Sequence, residues 1–221
     1  MSFASIAREL LTRIAIGEKS TKASELKTLR NGSWGVDDSG VKTTVARLFP
    51  LQDSDANPES LAAIDEIRAA HGRVTNMKRT LARSPVALHA LMTWYDLRDE
   101  VVPFLGERLT TLFAHSISSG TDCLVCSTFF RRLLIDSGED PDALRLDEWE
   151  QTIVAYGRQL AVDPHGVSDE LFGRLSARLE PHQVVALTAF GGLMVATNLF
   201  NNALKIDLDD YLDAYRKDGP R

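Results

Sequence analysis

A chain of 221 residues with 44% hydrophobic side chains is long enough for one sizeable domain with a real core. Its net charge of −6 and isoelectric point near 5.4 argue against nucleic acid or an anionic membrane surface as the main partner. The first residues lack a basic stretch followed by an apolar one, and the chain has only two cysteines, so a cytoplasmic protein is expected.

In chain order, Phe3 to Ile16 reads as a short amphipathic helix through Ile6, Leu10, Leu11 and Ile14. The pattern then breaks up to Asp55 in repeated turn signals such as Asn31-Gly32 and Ser39-Gly40. Residues 1–55 are therefore expected to form an N-terminal extension, and residues 56–221 a helical domain.

Helical signals run on from there. Ser60 to Ala70 carries Leu61, Ile64 and Ile67 on one face. Ser84-Pro85 is a start signal, and the helix it opens is expected to reach Val101. Pro103 is expected to open the next, through Leu105, Leu109, Leu112 and Phe113. Another helix starts after Ser119-Gly120-Thr121-Asp122 and stops at Ser137-Gly138. Asp147 starts one through Trp149, Ile153 and Tyr156, and Ser168 caps a short one. Glu180-Pro181 opens a long apolar helix to Leu204, and Asp209 to Arg216 forms a last turn or two. Its apolar run from Val184 to Phe200 is interrupted by Thr188, Gly191, Gly192, Thr197 and Asn198, which suits a core helix better than a membrane span. Gly191-Gly192 predicts close approach of another helix backbone. Asn198, Asn201 and Asn202 fit carbonyl hydrogen bonding, or the lining of a pocket or oligomer interface. No period-two strand pattern is convincing after residue 56, so the fold class is all-α.

The chemistry concentrates in Cys123-Leu124-Val125-Cys126 at the start of a helix. Unpaired N–H groups and the helix dipole there stabilise a thiolate, the reactive form. Three readings compete. A structural zinc site needs four ligands, and the five histidines show no ligand spacing, so neither metal nor cofactor is expected. Two small buried residues without chemistry are also possible. The favoured reading is a dithiol/disulfide couple, in which one thiolate attacks an oxidised substrate and the other resolves the intermediate. A thioredoxin-type frame does not fit, because the motif lies between helices.

Gly-Thr-Asp-Cys-Leu-Val-Cys between two helices resembles the carboxymuconolactone decarboxylase and alkylhydroperoxidase D superfamily. The segments Gly72 to Met77, Leu81 to Pro85, Val167 to Phe172 and Ala196 to Leu204 fit as well, so the resemblance covers about residues 60 to 212. It implies an oligomeric helical bundle, as a dimer, trimer or hexamer. For the peroxidase branch it implies reduction of hydroperoxides through Cys126 as attacking and Cys123 as resolving thiol. An external dithiol, such as a lipoylated protein, would then reduce the disulfide. The family's relay histidine, one turn after the second cysteine, is replaced by Phe130. Its glutamate, twelve residues before the first, is replaced by Thr111. As a substitute, Glu107, Thr111 and His115 share a helix face at i, i+4 and i+8, which makes His115 a candidate base and Glu107 its candidate partner. The same two residues also fit a half-buried core histidine and an exposed first-turn acid. The functional expectation is a peroxidase-like dithiol oxidoreductase. A redox sensor or helical scaffold of the same fold, and a decarboxylase-like ligand-binding protein, are the alternatives.

Overall fold

The structure is a computed structural model, and it describes residues 46–217. The expected helix from Phe3 to Ile16 lies outside the described residues, as does most of the expected extension. Residues 46–55 pack onto the helical unit. Ala46 and Leu51 are buried, Arg47 N–H donates to the Leu204 carbonyl at 2.9 Å, and Arg79 donates to the Leu51 carbonyl at 2.9 Å.

The helices are α1 (Pro58–His71), α2 (Asn76–Leu81), α3 (Pro85–Met92), α4 (Trp94–Leu105), α5 (Glu107–Gly120), α6 (Leu124–Asp136), α7 (Glu148–Val162), α8 (Asp169–Ser176) and α9 (Pro181–Leu204). A 3-10 turn, Asp210–Tyr215, follows α9. There is no strand among the described residues, and the fold is all-α.

Local chemistry explains most of the boundaries. Asn57, Thr75, Ser84 and Ser168 each accept a first-turn N–H from the helix they precede. Asp147 and Glu180 form reciprocal capping boxes with Glu150 and Gln183. Two boundaries differ from the sequence expectation. The helix from Pro85 breaks at Thr93, whose hydroxyl donates to the Ala90 carbonyl at 2.7 Å. Pro103 lies inside α4 rather than opening α5. The stop comes at Gly106, whose φ of 82° is the left-handed region that glycine enters without strain.

Helix α5 is the centre of the main core. Leu109, Leu112, Phe113, Ala114 and Ile117 are buried, and α4, α6, α7 and α9 surround it. Glycines set the closest approaches. A Cβ on Gly191 would stand 2.8 Å from Leu160 Cδ1 and 3.1 Å from Phe113 Cζ, whereas one on Gly192 would meet nothing within 4 Å. The close contact at Gly191 is therefore with the side chains of Leu160 and Phe113, not with the helix backbone the sequence led one to expect, and Gly192 has none. A smaller cluster of Leu51, Ile64, Ile67, Leu81 and Leu88 joins α1, α2 and α3, and Met77 and Phe200 touch both clusters.

Helix α9 is the one described helix long and apolar enough to cross a membrane. It buries Leu187, Phe190, Met194, Asn198 and Asn201 along one stripe, the pattern of a core helix packed on one face. That stripe brings its last turns onto the cysteine loop.

Candidate functional site

A short turn carries the chain from α5 into α6. Asp122 adopts a φ of 52°, a conformation aspartate tolerates better than most residues, and its side chain is exposed. The N-cap position of α6 falls on Cys123 and not on Asp122. No side-chain cap bond closes this helix end. The backbone N–H groups of Cys126 and Val125 nonetheless help lower the pKa of the Cys123 thiol.

The α9 asparagines fasten this turn. Asn202 Nδ2 donates to the Thr121 carbonyl at 2.8 Å, and Asn198 Nδ2 to Thr121 Oγ1 at 2.9 Å. Asn201 reaches the sulfurs themselves, donating to Cys126 Sγ at 3.2 Å with Cys123 Sγ at 3.9 Å. The amide oxygens of Asn198 and Asn201 are buried without a hydrogen-bond partner among the described residues.

The two thiols are inequivalent. Both are free and buried, Cys123 at 1% and Cys126 at 7% exposure. The hydrogen bond from Cys126 holds the Cys123 thiol below its ordinary range, and the Asn201 amide and the first-turn N–H groups add to this against the opposing effect of burial. That same bond, with burial, pushes the Cys126 thiol up. Of the pair, Cys123 therefore ionises more readily, and a proton passed from Cys126 to its thiolate would place the charge on Cys126.

Cys126, and not Cys123, lines a cavity of about 250 Å³. Val125, Phe129, Phe130, Trp94, Met77 and Met194 supply its apolar wall. Trp94 is fixed by its indole N–H on Met194 Sδ at 2.6 Å and packs 6.4 Å from Phe130 between ring centroids. The polar lining is His71, Arg73, Lys78, Tyr95, Arg132, Asp209 and Tyr211 with Thr75 and Thr197. Lys78 is 6% exposed, and its Nζ donates to Tyr95 Oη at 3.0 Å and to the Arg73 carbonyl at 3.2 Å. His71 stacks on Tyr95 at 3.6 Å between centroids. The guanidinium carbons of Arg73 and Arg132 lie 4.1 and 5.3 Å from the centroid of the Tyr211 ring.

The other sequence candidates lie elsewhere. His115 hydrogen-bonds neither sulfur and does not line the cavity. It is half-buried, and burial, with the positive charge of Arg131, lowers its pKa to about 4. Glu107 is exposed and ion-paired with Arg98. Thr111 donates to the Glu107 carbonyl at 2.9 Å. These positions match the half-buried histidine and exposed first-turn acid of the second sequence reading. Among the described residues, no three of His, Cys, Asp and Glu gather as a metal site. The groups that sequence reasoning missed are Lys78 and Tyr95. Asn201 carried a signal, an asparagine in the last turns of an apolar helix, but its target did not.

An all-α bundle with a buried Cys-x-x-Cys pair at a helix N-terminus, opening on an apolar cavity, defines the class of protein. No family model and no curated protein matches the chain. Solved structures do. The debrominase Bmp8 aligns with a TM-score of 0.64 at 17% identity, covering 78% of this chain and 97% of that one. A cysteine-to-alanine variant of Bmp8 is solved in complex with 2,3,4-tribromopyrrole. A peroxidase-related protein from Ralstonia eutropha JMP134, described as an alkylhydroperoxidase AhpD core, aligns with a TM-score of 0.62 at 15% identity, covering 77% and 95% of the two chains. One from Silicibacter sp. TM1040 aligns at 0.54, with 15% identity over 71% and 90%. The chain has the alkylhydroperoxidase D-like fold.

Proposed function

We propose that the protein is a dithiol oxidoreductase that reduces a small hydroperoxide and closes an intramolecular Cys123–Cys126 disulfide. The observation that carries this reading is the inequivalence of the sulfurs. Cys126 faces the cavity, and Cys123, more deeply buried and outside the cavity lining, has the lowered pKa of the two. A cavity of about 250 Å³ with an aromatic and aliphatic wall suits a small apolar substrate.

Charge moves to Cys126 as its proton passes to Cys123. The Cys126 thiolate attacks the distal peroxide oxygen, the S–O bond forms as O–O breaks, and the sulfur supplies two electrons. The alkoxide takes a proton and leaves as the alcohol. Cys123, once deprotonated, attacks the sulfenic sulfur of Cys126, and hydroxide leaves and becomes water. An external dithiol, such as a lipoylated protein, restores both thiols by exchange. Asn201 serves both sulfurs as a fixed donor. His115 and Glu107 take packing and surface roles in this scheme.

The burial of both sulfurs favours a second reading, a redox sensor oxidised stoichiometrically and reduced slowly. The likeness to a debrominase supports a wider range of two-electron acceptors, so a bromopyrrole belongs in the assay beside the hydroperoxide. A cytoplasmic location and a homo-oligomer complete the proposal; exposed Phe172, Val185 and Leu199 are apolar surface that an assembly would cover.

The test is oxidation of the reduced protein by an alkyl hydroperoxide with and without added dithiol. Turnover with dithiol supports the enzyme. One equivalent consumed and no more supports the sensor. Thiols that stay reduced overturn both.

A further inference from the structure

The replacement of the expected relay by Thr111 and Phe130 leaves the leaving alkoxide without an evident acid. The cavity supplies one from its wall. Lys78 is nearly inaccessible from bulk solvent, yet it lines the same cavity as Cys126. It forms no ion pair within 4.0 Å among the described residues. Its ammonium is held by one phenol and one carbonyl, at 3.0 and 3.2 Å. A buried amine without a counter-ion is costly unless it is used, and two of its three protons point at neutral acceptors.

We infer that Lys78 is the general acid of the reaction, giving its proton to the alkoxide that leaves as Cys126 attacks the peroxide. The inference rests on the dithiol reading above. Tyr95 is a positioning residue, fixed by the His71 stack and accepting from Lys78 Nζ.

The step balances. Attack forms S–O and breaks O–O, the alkoxide becomes the alcohol, and the Lys78 ammonium becomes an amine. Once the alcohol leaves, water admitted to the cavity reprotonates the amine before the next cycle, and the external dithiol supplies the two electrons that reset the sulfurs. The electrostatics suit the role. Burial lowers the Lys78 pKa to about 8, and Asp209, itself shifted upward by burial, opposes that. An acid titrating near the working pH transfers its proton most effectively. The other ionisable groups of this wall are His71 and Tyr95 from α1 and α4, Arg73 from the α1–α2 turn, Arg132 from α6, and Tyr211 from the C-terminal turn.

The test compares Lys78→Met with the unaltered chain in single-turnover oxidation by two reagents at neutral pH. With tert-butyl hydroperoxide the leaving group is an alkoxide that needs a proton. With peracetic acid it is acetate, which needs none. The expected result is a hydroperoxide rate lowered about 100-fold with the peracetic acid rate retained. Lys78→Arg keeps the charge but does not release its proton, so it shows the same selective loss and serves if the methionine variant does not fold. In the unaltered chain, the hydroperoxide rate relative to iodoacetamide alkylation falls as pH rises through about 8. An unchanged hydroperoxide rate in both variants, or equal losses with the two oxidants, overturns the assignment to Lys78 and leaves the dithiol reading standing. Thiols of the unaltered chain that resist both oxidants overturn the dithiol reading itself, and this inference with it.

Discussion

Replacing Asn201 by leucine separates thiol chemistry from stability. The Asn201 amide donates to Cys126 Sγ at 3.2 Å and lies 3.9 Å from Cys123 Sγ, and it lowers the pKa of both thiols. A hydrogen bond to a charged group contributes about 1.5–3 kcal/mol. Sulfur is a weak acceptor, so the lower end applies, and about 1.4 kcal/mol corresponds to one pKa unit. Asn201→Leu therefore makes the pair harder to ionise and slows thiolate alkylation at neutral pH about 10-fold. The fold should tolerate the change. Asn201 is 2% exposed and its amide oxygen has no partner, so an apolar side chain of similar volume removes an unpaired buried group. The assay titrates the ultraviolet absorbance of the thiolate and records the melting midpoint of the same samples. An unshifted thiol titration in a folded variant refutes the role of the amide. A midpoint lowered by more than about 10 °C refutes the stability argument.

Three further outcomes follow from the same geometry. Gly191→Ala forces a Cβ to 2.8 Å from Leu160 Cδ1 and costs about 1–3 kcal/mol, while Gly192→Ala meets nothing and gains up to about 1 kcal/mol of helix propensity; urea midpoints of the two variants should move in opposite directions. His115 has a folded pKa of about 4 against 6.5 unfolded, so the unfolded chain binds more protons between those values. Its stabilising contribution is full above about 6.5 and is lost as pH falls toward about 4, so His115→Leu should flatten that part of the stability profile without slowing thiol oxidation. Cys123→Ser should leave a sulfenic acid on Cys126 after one equivalent of hydroperoxide, trapped by a dimedone adduct at that residue; a Cys123→Ser variant that leaves the oxidant unconsumed, beside a Cys126→Ser variant that forms the adduct at Cys123, would reassign the attacking sulfur.

Much of the fold was legible because its helix ends are chemically marked. Ser84-Pro85, Asp147, Ser168 and Glu180-Pro181 stand at observed boundaries, where side chains accept the N–H groups a helix start leaves free. Thr93 was illegible because apolar spacing continues across it and the break rests on one hydroxyl bond. Pro103 misled because proline opens helices more often than it sits inside them, yet α4 absorbs it two residues before its end. Helix α2, six residues long, is too short for periodicity to reveal. At the site, Cys123 and Cys126 announced themselves by spacing. Lys78, Tyr95 and Asn201 come from helices distant in sequence, and only packing brings them to the same sulfurs or the same cavity. The shared face of Glu107 and His115 is real, but a shared helix face fixes neighbours on that helix and not across the bundle.

The most direct test of the account is mass analysis of the reduced protein after one equivalent of alkyl hydroperoxide. The account predicts one equivalent of alcohol and a Cys123–Cys126 disulfide within a single chain. Unconsumed hydroperoxide with both thiols intact, in a folded sample, would contradict it.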